Sequence, residues 1–314
     1  MTERTFVCSD GFSLAAQCYR PPSTPTNVTQ THNKKILLLH GWLDNCRSFW
    51  KLAPNLLESS YEVVALDLPG HGLSDHRPPA GPTVMLPEAV YYVAEVLDKL
   101  EWNHQVTLIG HSMGAAISLA YTAAFPEQVE RLVLLEGVGP LTKPDEDVTK
   151  HLRRHVESRM KGNVSLYFNN DKKGPRLHAS LDAAIETRRK TATLSPGNQY
   201  LSQEAATELV TRATRPHGTQ VQFLHDYRLT WPSLMYMTHT QVAALQQAVR
   251  DCPTCILLAE DGWPFEQERL DGVKERIQPQ QFAILPGSHH FHADPASADL
   301  VSEHILQFLE SSTS

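Results

Sequence analysis

The sequence predicts an α/β protein built on a mostly parallel sheet, and three observations carry that expectation. Short continuous apolar runs recur at Ile36-Leu37-Leu38-Leu39, Val63-Val64-Ala65-Leu66, Val106-Thr107-Leu108-Ile109, Leu132-Val133-Leu134-Leu135, Ile256-Leu257-Leu258 and Phe282-Ala283-Ile284-Leu285. Each has the length and composition of a strand buried on both faces. Between them lie segments of helical periodicity: Ser48 to Leu57, Leu86 to Leu100, Met113 to Phe125, Glu266 to Ile277 and Ala296 to Leu309. Strand and helix alternate, which is the pattern of a parallel sheet covered by helices.

The chain opens on Thr5-Phe6-Val7-Cys8, Asp10-Gly11, then Leu14 to Tyr19, read as a β-hairpin with a type I′ turn. A Pro/Thr/Asn-rich loop from Pro21 to Asn33 leads into the first parallel strand. The alternation lapses after Glu136. For about a hundred residues there are only polar, helix-leaning stretches, near 146–161, 179–190 and 202–214, broken by Gly174-Pro175 and by Ser195-Pro196-Gly197-Asn198. We therefore divide the chain into a core, 1–137 with 236–314, and an inserted helical cap, 138–235. Emerging from the carboxyl end of a strand, such an insertion sits over the place where open α/β sheets bind ligands.

Of 314 residues, 41 % are hydrophobic and 20 % charged, enough apolar mass for a substantial core. The net charge of −7 argues against nucleic acid as a partner. No apolar run reaches membrane-span length, and Met1 to Asp10 lacks the pattern of a secretory leader. Five cysteines give no disulfide framework, so the expected setting is the cytoplasm, as monomer or homodimer. Charge is uneven. Residues 138–235 hold 15 Lys/Arg and 10 Asp/Glu, or +5, while the remainder holds 13 and 25, or −12. Solvated helix faces account for this most simply; an anionic substrate is the other reading.

Chemistry concentrates in Val106 to Ala116, where a buried strand meets Gly110-His111-Ser112-Met113-Gly114 and then an Ala-rich helix. A serine exposed on a strand-to-helix turn is a nucleophile elbow; side chains at 110 or 114 would collide with the turn. The helix N-terminus presents amides to a developing oxyanion. A serine needs a base, which in this order of elements follows late in the chain. Pro286-Gly287-Ser288-His289-His290-Phe291-His292 comes just after the last strand, and we choose His289, first after the Gly-Ser turn. His289-x-x-His292 also fits zinc, but no Cys or carboxylate at ligand spacing completes such a site, so no metal or cofactor is expected. In His40-Gly41-Trp42 the strand end turns so that the Trp42 amide, with that of Met113, can face the oxyanion. Asp67-Leu68-Pro69-Gly70-His71-Gly72 lacks a P-loop lysine and reads as a structural loop beside the site. Cys252-Pro253-Thr254-Cys255 precedes a buried strand and reads as its lead-in rather than a redox pair. Trp231 to Met237 either lines an acyl pocket or packs cap on core.

Together the HGW strand end, the DLPGHGLSD loop, the GHSMG elbow and the GSHHFH ending resemble the α/β-hydrolase superfamily in its capped branch. HGWLDN and the PG-x-H-x-x-H ending are similar to its serine hydrolase-like group. The resemblance implies an eight-stranded, mostly parallel sheet and acyl transfer through Ser112 with His289 as base. It leaves two candidates for the acid that orients His289. Most relatives place it after the seventh strand, near Asp261, but their Gly-x-x-Asp pattern puts Gly262 in register with the acid. Haloalkane dehalogenases instead place a Glu at the strand end occupied here by Glu136. We favour Glu136, which needs no register shift, with Asp261 the alternative. Because residue 112 is Ser and not Asp, the expected reaction is hydrolysis of a small acyl ester or thioester. A carbon–carbon hydrolase acting on a keto acid, and a ligand binder with little turnover, are the alternatives.

Overall fold

The protein was analysed as a computed structural model that describes residues 1–20, 34–59, 61–78, 85–167 and 177–311, with backbone only for 162–167. The Pro21–Asn33 loop and the Gly174-Pro175 break lie outside the described residues. Strands β1 (Thr2–Val7) and β2 (Ser13–Tyr19) form the opening hairpin. Its turn differs from the expected type. The Gly11 amide donates to the Cys8 carbonyl (2.9 Å), and in this turn only Gly11 takes positive φ, at 83°. A type I′ turn needs positive φ at both central residues, so this is the longer loop in which Gly11 closes the turn.

The chain then runs β3 (Lys35–Leu39), α1 (Leu52–Glu58), β4 (Glu62–Leu66), α2 (Leu86–Lys99), β5 (Val106–His111), α3 (Met113–Ala124) and β6 (Val129–Leu135). After the insertion come α7 (His239–Ala248), β10 (Thr254–Asp261), α8 (Gln267–Ile277), β11 (Gln281–Ser288) and α9 (Ala298–Glu310). Eight strands make one sheet in the order β1-β2-β4-β3-β5-β6-β10-β11, antiparallel at the hairpin edge and parallel from β4 through β11. Successive side chains on a strand point to opposite faces, and the apolar runs supply both. In β3, Leu37 and Leu39 join the core under α2, α3 and α8, while Ile36 and Leu38 join the one under α1 and α9. The sheet is thus sealed on both sides, leaving its carboxyl edge for chemistry.

The insertion holds α4 (Val148–Tyr167), α5 (Leu181–Ala192) and α6 (Gln203–Arg212), matching the three helical stretches. It also holds a sheet that was not anticipated: β7 (Leu177–His178), β8 (Thr214–His217) and β9 (Gln220–Phe223), in the order β7-β9-β8. Four-residue strands are too short to show a period, and Pro216 weakens the pattern, though it is tolerated on the edge strand β8. Gly218, at φ 61°, makes the turn between β8 and β9. Helix α7 was missed too, although Thr238 and Gln241 form a reciprocal capping box readable as Thr-x-x-Gln.

Candidate functional site

Ser112 links β5 to α3 with φ 53° and ψ −110°, a conformation that L residues rarely adopt. The turn is tight enough to require its glycines. A Cβ on Gly110 would fall 2.3 Å from the Gly114 carbonyl oxygen, and one on Gly114 would fall 1.9 Å from the Leu39 carbonyl oxygen. No relaxation of a side chain removes a clash with backbone. Met113 is the first residue of α3, so its amide has no partner one turn earlier and remains available to an anion. Trp42 stands in the loop just past β3, next to Gly41, and its indole donates to the Leu229 carbonyl of the inserted segment (2.9 Å).

Directly after β11, His289 places its Nδ1 2.8 Å from Glu136 Oε2. That carboxylate is held from three sides, since Oε1 also accepts the Ala259 amide (2.7 Å) and Oε2 the Trp263 amide (2.8 Å). Glu136 is buried and, like Ser112, sits at positive φ, 50°. This backbone turn at the end of β6 swings its side chain sideways across β10. Asp261 points elsewhere, accepting from Asn198 Nδ2 at 3.4 Å. Gly262, the position in register with the alternative acid, has no room for a side chain: a Cβ there would lie 2.3 Å from Glu136 Oε2. A carboxylate accepts, so His289 Nδ1 is the donor of this hydrogen bond.

The other two histidines of the ending serve a different group. His292 Nε2 pairs with Ser48 Oγ (2.8 Å), and His290 Nε2 with Asp44 Oδ2 (3.0 Å). Asp44 was not singled out from the sequence, yet it joins three parts of the molecule. It lies in the loop after Trp42, contacts His290, and accepts from Arg188 of α5 through Oδ1 (2.8 Å). Burial would raise its carboxyl, but the adjacent His290 and Arg188 overcome this and hold it well below the ordinary range. Beside it, His111 donates from Nε2 to the His289 carbonyl (2.8 Å), fixing the backbone of the loop that carries His289. Burial, then the neighbouring imidazoles of His292, His289 and His290, keep His111 far below the usual histidine range. One donor each from Asp44, His111 and His290 lie within 4.8 Å of one another, the spacing of a metal site. The Asp44 charge is already met by Arg188, however, and an added divalent cation would leave excess positive charge in a buried place. The signal for this group was the Leu-Asp-Asn after Gly41-Trp42, legible only as part of a resemblance.

The structural reading of the Gly-rich loop holds. Asp67 accepts from the Cys46 amide (2.8 Å) and the Leu73 amide (2.9 Å), and a Cβ on Gly72 would meet its carboxylate at 2.3 Å. Arg212 of α6 closes on the same carboxylate (2.9 Å). The inserted segment is further tied to the 288–292 loop, where the Tyr200 amide donates to Ser288 Oγ (2.8 Å). Trp231 and Tyr236 pack against His155 and His151 of α4, and Met235 faces solvent, so the 231–237 segment mainly covers α4.

A family model of the alpha/beta hydrolase fold matches residues 34–295. The chain is 32 % identical over 286 residues to a serine hydrolase-like protein of Danio rerio, covering 89 % of this chain and 82 % of the relative. It is 29 % identical over 311 residues to a serine hydrolase-like protein of Dictyostelium discoideum, 95 % of this chain and 79 % of that one. Among solved structures, a hypothetical protein of Pseudomonas aeruginosa PAO1 superposes with a TM-score of 0.84 at 31 % identity, covering 99 % of this chain and 100 % of that one. With the elbow, the late histidine and the eight-stranded sheet already in view, these matches establish that the chain belongs to the α/β-hydrolase family.

Proposed function

We propose that the protein is a serine hydrolase of carboxylic esters, working through an acyl-enzyme on Ser112. The observation that carries this is the 2.8 Å pair between His289 Nδ1 and Glu136 Oε2 beside the strained Ser112 turn. In this reading Ser112 Oγ attacks the acyl carbon and His289 Nε2 takes its proton. Glu136 holds the imidazole in the tautomer that leaves Nε2 free, then stabilises the imidazolium. The oxyanion is received by the amides of Trp42 and Met113 at the start of a helix. His289 returns the proton to the leaving alcohol, and water activated by the same nitrogen releases the acid. Asp44 and His111 act as positioning residues by fixing the backbone that carries Trp42 and His289. The segment 138–235 serves as the cap that shapes the acyl pocket, and its hydrogen bonds to the Trp42 indole and to Ser288 tie it to both sides of the site.

The test is steady-state hydrolysis of p-nitrophenyl esters from acetate to decanoate, with Ser112→Ala as control. Turnover abolished by that substitution, with an optimum chain length, supports the reading and sizes the pocket. Turnover no greater than that of Ser112→Ala for every ester overturns it.

A further inference from the structure

Helix α4 buries an unusual face. His151 packs edge-on to Tyr236 (4.9 Å between ring centres), and His155 Nδ1 lies 2.8 Å from the Pro232 carbonyl oxygen. Beside that face Val148, Leu152, Val156 and Met160, spaced four apart, form a stripe that is 44–64 % exposed. A helix of a globular protein normally turns such a stripe to the core. Leu141 and Met235 are exposed at the same corner, where Thr142 bridges Met237 and the Lys143 ammonium lies over Tyr236. Lys150, Arg153 and Arg154 project from the polar side of α4, which through residue 161 carries five cations against Glu157. Lys150 pairs with Asp147 (3.3 Å) and Arg153 with Glu157 (3.9 Å), while Arg154, Arg159 and Lys161 lie outside these pairs and Asp145 and Glu146 are exposed just before the helix.

An apolar stripe bordered by lysine and arginine is the pattern of a helix lying in a membrane interface. The charge division sharpens the case, because the inserted segment carries +5 and the rest of the chain −12. A negative surface would attract the inserted segment and repel the remainder of the chain. A second copy docking on the stripe would instead bring a second +5 segment against the first. We propose that this face of α4 docks the protein onto an anionic lipid surface, with the inserted segment toward the membrane. The docking is independent of the catalytic reading, since it uses none of the residues around Ser112.

Co-sedimentation of the full chain with large unilamellar vesicles tests this, comparing phosphatidylcholine alone with phosphatidylcholine containing phosphatidylglycerol. Pelleting should occur with the anionic vesicles and decline as salt rises from about 0.05 to 0.5 M. Leu152→Asp/Val156→Asp, and separately Arg153→Glu/Arg154→Glu, should each weaken it roughly tenfold or more. Both variants should keep the wild-type melting temperature and far-UV circular dichroism. Absence of pelleting by the wild type, or equal pelleting with neutral and anionic vesicles, overturns the proposal. A wild-type dimer in light scattering that Leu152→Asp/Val156→Asp converts to monomer also overturns it, and assigns the stripe to self-association.

Discussion

Replacing Glu136 by Gln isolates the carboxylate from its shape. The native oxygens accept three N–H groups, from Ala259, Trp263 and His289. The glutamine amide has one oxygen and one NH2, so whichever way it turns, an NH2 meets a donor. With the NH2 toward Ala259, one buried amide loses its acceptor, at a cost of about 1–3 kcal/mol in stability. With the NH2 toward His289, the imidazole must move its proton to Nε2 and ceases to be a base. Even in the favourable orientation the negative charge is gone when the imidazolium forms. At roughly 4 Å and an effective dielectric near 20 that attraction is worth about 4 kcal/mol, or about three powers of ten in rate. Glu136→Gln should therefore lower kcat for p-nitrophenyl ester hydrolysis ~10³-fold or more with little change in KM. Asp261→Asn, which disturbs only a 3.4 Å contact to Asn198, should stay within about twofold. Asp261→Asn inactive and Glu136→Gln active would refute the assignment.

Acid should destabilise the fold through its buried histidines. Burial lowers His40 to about 4 and His71 to about 3, against 6.5 when unfolded. Below pH 6.5 the unfolded chain binds protons that the folded one refuses, so stability falls as pH falls. From pH 7 to 5 these two residues together should cost about 4 kcal/mol, with His111, His290 and His292 adding in the same direction. Asp44, held low, contributes stability that is lost only below the unfolded carboxylate range, outside this window. A urea midpoint unchanged between pH 7 and 5 would contradict this account. Arg188→Met should destabilise by about 3–5 kcal/mol by stranding the buried Asp44 charge, and adding Asp44→Asn should recover part of it; denaturant unfolding of the single and double variants measures both. The thiols should resist labelling. Burial pushes Cys8 to about 11 and Cys252 to about 12, and raises Cys18, Cys46 and Cys255 as well. Iodoacetamide at pH 7 should modify none in the native protein within minutes and all five after denaturation, read by mass spectrometry.

The parts of the fold legible in the sequence are those where local pattern and global burial agree. Strands β3, β5 and β6 are buried on both faces, so their apolar runs are unbroken and cannot be mistaken for amphipathic ones. The Ser112 turn was legible because backbone crowding requires glycine at 110 and 114. What escaped is stabilised by contacts distant in the chain. Strands β7 to β9 are short and gain their order from each other, and Asp44 acquires its neighbours only when the 41–46 loop, α5 and the 288–292 loop converge. The choice between Glu136 and Asp261 lay between these extremes: the glycine at 262 was visible, but not that the Glu136 carboxylate fills the space its missing Cβ leaves.

That last contact constrains how such a site changes over generations. A carboxylate reaching from the end of β6 and a side chain at 262 claim the same volume. A lineage carrying acids at both positions would pass through a crowded, misfolding form, and one carrying neither would leave the histidine without its orienting partner. Moving the acid from one strand to the next therefore requires two coupled substitutions with an unfit intermediate by either route. Descendants of this chain should keep Glu136 and Gly262 together, or exchange both.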